Sequence, residues 1–213
     1  MNLKDFFGML KLGAILAAFA TAACIMLAFV YAGTKTIIEQ RQEEELVKAE
    51  KEIFPDADSF EEIKNIASPD PAVTIMVAFS ALKNGEVIGA VLELSRASYS
   101  GPIMTMVGIS TDGFITGVKI LEHSDTPGFG ANAASSSYFV DREKGLTFYG
   151  QFAGKHVSHP FRVKDDVIAI TASTITSNAV SSSVKAAALA ANAWFTGEEV
   201  DVVSGASEEG GEL

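Results

Sequence analysis

The residues best suited to chemistry in this 213-residue chain form a hydroxyl-rich run, Thr171-Ala172-Ser173-Thr174-Ile175-Thr176-Ser177. It separates the β-prone Val167-Ile168-Ala169-Ile170 from the helix-prone Asn178-Ala179-Val180. Where a strand stops and a helix starts, backbone N–H groups are left unpaired. Together with the positive end of the helix dipole they favour a phosphate. A hydroxyl held there can bind a phosphate or be joined to one covalently. The same run also reads as an ordinary N-cap, because Ser, Thr and Asn are the preferred capping residues.

A second candidate is the loop Glu122-His123-Ser124-Asp125-Thr126-Pro127-Gly128-Phe129-Gly130. Pro127 fixes φ, the two glycines let backbone approach a flat ligand, and Phe129 can stack on one. A third is Ser98-Tyr99-Ser100-Gly101-Pro102-Ile103, small residues and an aromatic at the entry to a hairpin. Each is also compatible with a plain turn. Other chemistries fit less well. His123, His156 and His159 match no standard zinc spacing. Ser177, His123 and Asp125 suggest a hydrolase triad on paper, but no Gly-x-Ser-x-Gly elbow is present. No GxGxxG or P-loop occurs either.

The elements that must position these residues begin with an uncharged, apolar segment at 12–34. At about 1.5 Å per residue it matches a hydrocarbon core of roughly 30 Å, so it reads as a transmembrane helix. A signal peptide cut near Ala20-Thr21-Ala22 and a lipid-anchored Cys24 fit poorly, since Ile25–Val30 extends the apolar run past either cut. Lys4 and Lys11 lie on the short N-terminal side, which favours that side inside and the domain outside. The single cysteine, Cys24, lies in the span, so the domain beyond it has neither disulfides nor thiolate chemistry.

Residues 35–55 read as a polar helical stalk, broken by Pro55. A short helix is predicted over 60–67, then two hairpins. Val73–Leu82 and Glu86–Ser95 join through Asn84-Gly85; Ile103–Ile109 and Phe114–Glu122 join through Asp112-Gly113. Both dipeptides predict type I′ turns. A helix is expected over 131–143 and a strand over 161–170. Phe148, Tyr149 and Phe152 suit a pocket wall or a core. The last helix is expected over 178–195, with Val180, Val184, Ala188, Leu189 and Ala191 inward and Gly197 as its stop. The fold class is therefore α+β: an antiparallel sheet of hairpins packed with helices, preceded by one transmembrane helix. The net charge of −11 is concentrated in the stalk and the acidic segment 198–213, which reads as disordered. It argues against a nucleic-acid partner.

Taken together, Tyr99-Ser100-Gly101, Asp125-Thr126-Pro127-Gly128-Phe129-Gly130 and Thr174-Ile175-Thr176-Ser177-x-Ala179-Val180 resemble a known family. It is the FMN-binding domain of the G subunit of Rnf-type ion-translocating ferredoxin:NAD⁺ oxidoreductases. The C subunit of the sodium-translocating NADH:quinone reductase is related. The resemblance implies FMN joined through a phosphoester to a Thr in a pattern like Asp-x-x-Ser/Thr-Gly-Ala-Thr. Residue by residue, this puts the acceptor at Thr174 and the preceding hydroxyl at Thr171. Three positions depart from the pattern: Ile168 stands for Asp, Ala172 for Gly and Ser173 for Ala. Flavin contacts are implied for Thr171, Ser173, Ile175, Thr176 and Ser177, for Thr126, Pro127, Gly128 and Phe129, and for Tyr99, Ser100 and Gly101.

The resemblance further implies an electron relay in a membrane redox complex, not catalytic alone. Its partners would be other membrane and peripheral subunits and, during maturation, a flavin transferase. The chain divides accordingly into a cytoplasmic N-terminus (1–11), a membrane span (12–34), a stalk (35–55), an FMN-binding domain on the outer face (56–197) and an acidic tail (198–213). The departure at Ile168 motivates an alternative, a membrane-anchored sensor or regulatory module binding FMN reversibly. A purely structural anchor is a third reading.

Overall fold

In a computed structural model the described residues are 3–198, so the acidic segment beyond Glu198 lies outside them. Helix α1 runs unbroken over Leu3–Ile53. Within it Lys11–Lys35 has a mean hydropathy of 2.3 and buries nothing. Thr21 and Thr34 return their hydroxyls to the carbonyls of Ala17 and Val30, each at 2.8 Å. Neither hydroxyl is thus left unmet in an apolar surround. By length and composition this segment fits a membrane span, and Cys24 on it is free and exposed. The chain divides into two compact units inside this helix, between Val47 and Lys48.

The second unit is built on one antiparallel sheet in the order β1 (Ser59–Glu62), β2 (Val73–Lys83), β3 (Glu86–Ala97), β4 (Pro102–Ser110), β5 (Ile115–Glu122). At the β2–β3 turn Asn84 and Gly85 both have positive φ, 51° and 81°, the type I′ signature its sequence predicts. The β4–β5 turn differs from expectation. Of its two central residues only Gly113 (φ 78°) is left-handed, and Gly113 N–H bonds the Ser110 carbonyl while Ser110 N–H bonds that of Phe114. This is a three-residue loop with glycine at the left-handed position, not a type I′ turn. The helix expected over 60–67 is instead strand β1. It pairs with β2 (Phe60 opposite Ala81) and covers an edge that would otherwise stay open, and Asn65 at φ 62° forbids helical continuation.

Alternation along the strands makes two faces. On one, Leu92 and Leu94 of β3 and Val107 and Ile109 of β4 are fully buried beneath the last helix, α2 (Thr174–Thr196). The buried alanines 186, 187, 188, 190 and 191 let that helix lie close to the sheet. Val180, Val184, Ala188 and Ala191 are buried as expected, whereas Leu189 is only half-buried. Gly197 ends the helix at φ 71°. On the other face Ile53 and Phe54 fill a slot lined by Gly89, Gly108 and Gly117. A Cβ on Gly89 would lie 2.3 Å from the Phe54 ring, and one on Gly108 2.1 Å from Ile53. Side chains are therefore absent where the end of α1 sits.

Two further expectations are corrected between β5 and α2. Instead of a helix over 131–143 there is one 3₁₀ turn, Gly130–Ala134, then β6 (Phe139–Asp141), which pairs with β7 (Leu146–Thr147). The serines compete with helical bonding: Ser135 Oγ accepts from Ser137 N–H. Asp141 then turns the chain by accepting from the N–H groups of Glu143 and Lys144. Instead of a strand over 161–170 there is an irregular segment with Phe161 and Lys164 at φ 47° and 72°. The Asp166 carboxylate organises it by accepting from the N–H groups of Phe161 and Arg162 and pairing with Lys155. Phe148 and Phe152 prove to be core, fully buried and edge-to-face at 5.8 Å.

Candidate functional site

Helix α2 begins at Thr174, four residues before the start expected from its sequence. The hydroxyl-rich run thus straddles the junction, with Thr171, Ala172 and Ser173 leading into the helix and Thr174 to Ser177 in its first turn. Ser177, expected at the site, is fully buried: its Oγ accepts from Ile170 N–H and donates to the Ser173 carbonyl, each at 2.9 Å. It closes the first turn from inside. Ser173 occupies the N-cap position but makes no side-chain capping bond. Its Oγ is buried without any hydrogen-bond partner. A buried hydroxyl left unpaired costs about 1–3 kcal/mol, so this one is poised for a group the protein alone does not supply.

Ser173 lies on the wall of a cavity of about 570 Å³ lined also by Tyr99, Asp125, Thr126, Phe129, Gly130 and the rest of the run Ala172–Thr176. The volume lies within the range of small-molecule sites. Three large apolar side chains from three segments rim it while remaining well exposed: Tyr99 at 74%, Phe129 at 51% and Ile175 at 55%. Of the sequence-predicted residues, Tyr99, Thr126, Phe129, Ser173, Thr174, Ile175 and Thr176 are brought together here. Ser100, Gly101, Pro127, Gly128, Thr171 and Ser177 are not on its wall. Gly101 packs towards Ser124, Gly128 turns the loop at φ 81°, and Thr171 offers its N–H to the Tyr138 hydroxyl at 3.4 Å.

One residue ties the three segments together. The Asp125 carboxylate, 5% exposed, accepts from Ser98 Oγ (2.6 Å), Ser100 N–H (2.9 Å) and Thr176 Oγ1 (2.7 Å). Gly130 is packed so tightly that an added Cβ would lie 2.6 Å from both Asp125 Oδ2 and Thr176 Oγ1. Burial alone would raise the Asp125 pKa. The bonds from Ser98, Thr176 and Ser100, with the field of His123, outweigh it and hold the carboxyl below its ordinary value. It is therefore ionised at neutral pH. Among the described residues no Lys or Arg lines the cavity.

Two of the departing positions have physical explanations. Ala172 sits at φ 60°, a left-handed conformation that glycine adopts freely and alanine only at a cost. At Ile168 the side chain is exposed and Gln151 holds the backbone. The Gln151 amide accepts from Ile168 N–H at 2.8 Å and donates to its carbonyl at 3.1 Å. Sequence reasoning missed Gln151 and the organising role of Asp125. The only signal for the latter is its place directly before Thr-Pro-Gly. The histidines are structural neighbours: His156 bonds Ser158 Oγ, and His159 lies 3.5 Å from Asp166.

Comparison with known proteins defines the class first. A family model described as FMN-binding domain matches residues 98–189, which contain all three segments of the site. A second, described as RnfG N-terminal region, matches residues 1–53. The chain is 31% identical over 191 residues to the G subunit of the Na(+)-translocating ferredoxin:NAD(+) oxidoreductase complex of Acetobacterium woodii, covering 82% of this chain and 87% of that one. It is 31% identical over 165 residues to the G subunit of the ion-translocating oxidoreductase complex of Methanosarcina acetivorans, covering 76% and 82%. Similarity to the crystal structure of Shewanella oneidensis NqrC, at a TM-score of 0.39 and 18% identity over 67% of each chain, is too loose to argue from. The chain belongs to the RnfG family, the G subunits of ion-translocating oxidoreductase complexes.

Proposed function

We propose that this chain is the electron-transfer subunit of a membrane-bound, ion-translocating redox complex and carries FMN covalently on Thr174. When bound, the flavin supplies the ability to take up and release electrons. The chain's own residues hold and orient it. The N–H groups and dipole of the first turn of α2 would face the phosphate. Ser173 Oγ would donate to it or to the ring, and Tyr99, Phe129 and Ile175 would border the isoalloxazine.

The observation that carries the covalent reading is the charge of the site. Among the described residues its wall holds an ionised Asp125 and no Lys or Arg, yet FMN brings a phosphate. A freely exchanging phosphomonoester would face that carboxylate with only a helix N-terminus to compensate. An ester to Thr174 lowers the phosphate's charge and supplies the retention that a cation would otherwise provide. Thr174 is exposed at the first helical position, on the cavity wall, where a transferase can reach it.

Around this site, residues 12–34 would span the membrane, 35–55 form the stalk and 56–197 the flavin domain, with the N-terminus cytoplasmic and the domain on the outer face. The other subunits of the complex and, during maturation, a flavin transferase would be its partners. Denaturing electrophoresis of chain made in cells containing the transferase is expected to give a band that fluoresces under ultraviolet light. The band should go dark in Thr174→Ala. Complete release of flavin from the wild-type chain on denaturation would instead favour reversible binding, the reading that Ile168 motivates.

A further inference from the structure

We propose that Asp125 is the positioning residue of this flavin site and that its negative charge holds the bound flavin at a lower reduction potential than a neutral side chain would. The positioning half stands on geometry. Three segments far apart in sequence make the cavity: the β3–β4 turn, the loop after β5 and the first turn of α2. No regular ladder joins the first of these to the last. The three bonds to Asp125 do so, one to each of Ser98 and Ser100 in the turn and one to Thr176 in the helix. Bonds to an ionised acceptor are about twice as strong as neutral ones. Gly130 leaves the carboxylate its place, since a Cβ there would lie 2.6 Å from Asp125 Oδ2.

The charge half follows from what surrounds the carboxylate. Its partners are two hydroxyls and one backbone N–H, all uncharged, and it makes no ion pair among the described residues. His123 is the one ionisable group among them whose field acts on it. The charge is thus solvated by dipoles but not cancelled. Reduction adds an electron to the ring system, and a fixed, unneutralised carboxylate in the cavity wall opposes that added negative charge. The inference rests on the flavin reading of the site.

The geometry also supplies a way to separate the two halves. Asp125 Oδ2 meets two hydroxyls and Oδ1 meets one N–H. An asparagine can keep its oxygen on Ser100 N–H and donate its NH₂ to the two hydroxyls, which accept as readily as they donate. Asp125→Asn therefore preserves the knot and removes the charge, whereas Asp125→Ala removes both.

The test uses the full chain in detergent, with both variants beside wild type. Flavin midpoint potential is read by absorbance during a redox titration. Hydrogen exchange at the Ser100 amide is read on chain made without the transferase. Asp125→Asn is expected to retain flavin and near-wild-type Ser100 protection, with its midpoint potential shifted upward. Asp125→Ala is expected to lose Ser100 protection by about tenfold or more, the equivalent of one charge-assisted bond, and to carry less flavin. An unchanged potential in flavin-loaded Asp125→Asn would overturn the electrostatic half. Unchanged Ser100 exchange in Asp125→Ala would overturn the positioning half. A wild-type chain without flavin would overturn the flavin reading itself, while the exchange comparison still decides the positioning role.

Discussion

Two regions of the domain are secured by opposite means. In one, Ile53 and Phe54 sit in a slot defined by missing side chains, Gly89, Gly108 and Gly117, where apolar shape sets the geometry. Beside them Glu50 is buried near Glu93, and burial first, then mutual repulsion, raises the pKa of Glu50. Burial and the nearby Glu122 raise that of Glu93. At the other region, the start of α2, a carboxylate is buried too, but Asp125 has three donors and is held ionised. Burial is common to both, and the presence of hydrogen-bond donors decides the sign. The first site tolerates its charges, whereas the second is organised by one.

This contrast can be broken in several ways, beginning with the largest effect. Phe54→Ala empties the glycine slot and is expected to cost about 3–5 kcal/mol in denaturant unfolding, typical of a buried Phe. A cost below about 1 kcal/mol would mean that shape does not secure that side. Ala172→Gly relieves a left-handed alanine and should stabilise the domain by about 1 kcal/mol, read as a raised melting temperature. A lowered melting temperature would show that the backbone is not strained there.

The smallest effect is the one most specific to the comparison, a pH dependence of opposite sign. Asp125 has a lowered folded-state pKa, so its contribution is present above the ordinary carboxylate range and lost as pH falls below about 4. Glu50 has a raised one, so its contribution is present below the ordinary range of about 4.3 and lost as pH rises through the folded value. Glu50→Gln should therefore raise the melting temperature slightly at pH 7 and leave it unchanged at pH 4. Asp125→Asn should lower it at pH 7 and flatten the acid loss. Parallel responses of the two variants would contradict the contrast.

What the sequence reveals tracks how local the determining physics is. Asn84-Gly85 gives its turn because two left-handed residues are a purely local demand. Asp112-Gly113 looks the same, yet one extra residue in the loop changes the turn type, and that register is set by the pairing of β4 with β5. Strand β1 reads as helix because its own residues do not disclose the open edge of β2. The segment 161–170 reads as strand because its alternation hides Asp166, which gathers backbone N–H groups into a turn. At the site, the hydroxyl run and the Thr-Pro-Gly-Phe-Gly loop are legible as motifs. Their meeting place is not, because the knot at Asp125 joins residues 51 positions apart.

The central claim is that Thr174 carries FMN as a phosphoester, and the intact mass of the denatured chain tests it most directly. In cells with the flavin transferase, the phosphorus replaces the hydroxyl hydrogen, so the expected mass is that of the chain plus FMN less one water. Thr174→Ala should show the unmodified mass. An unmodified wild-type chain, or an adduct that persists in Thr174→Ala, would contradict the claim.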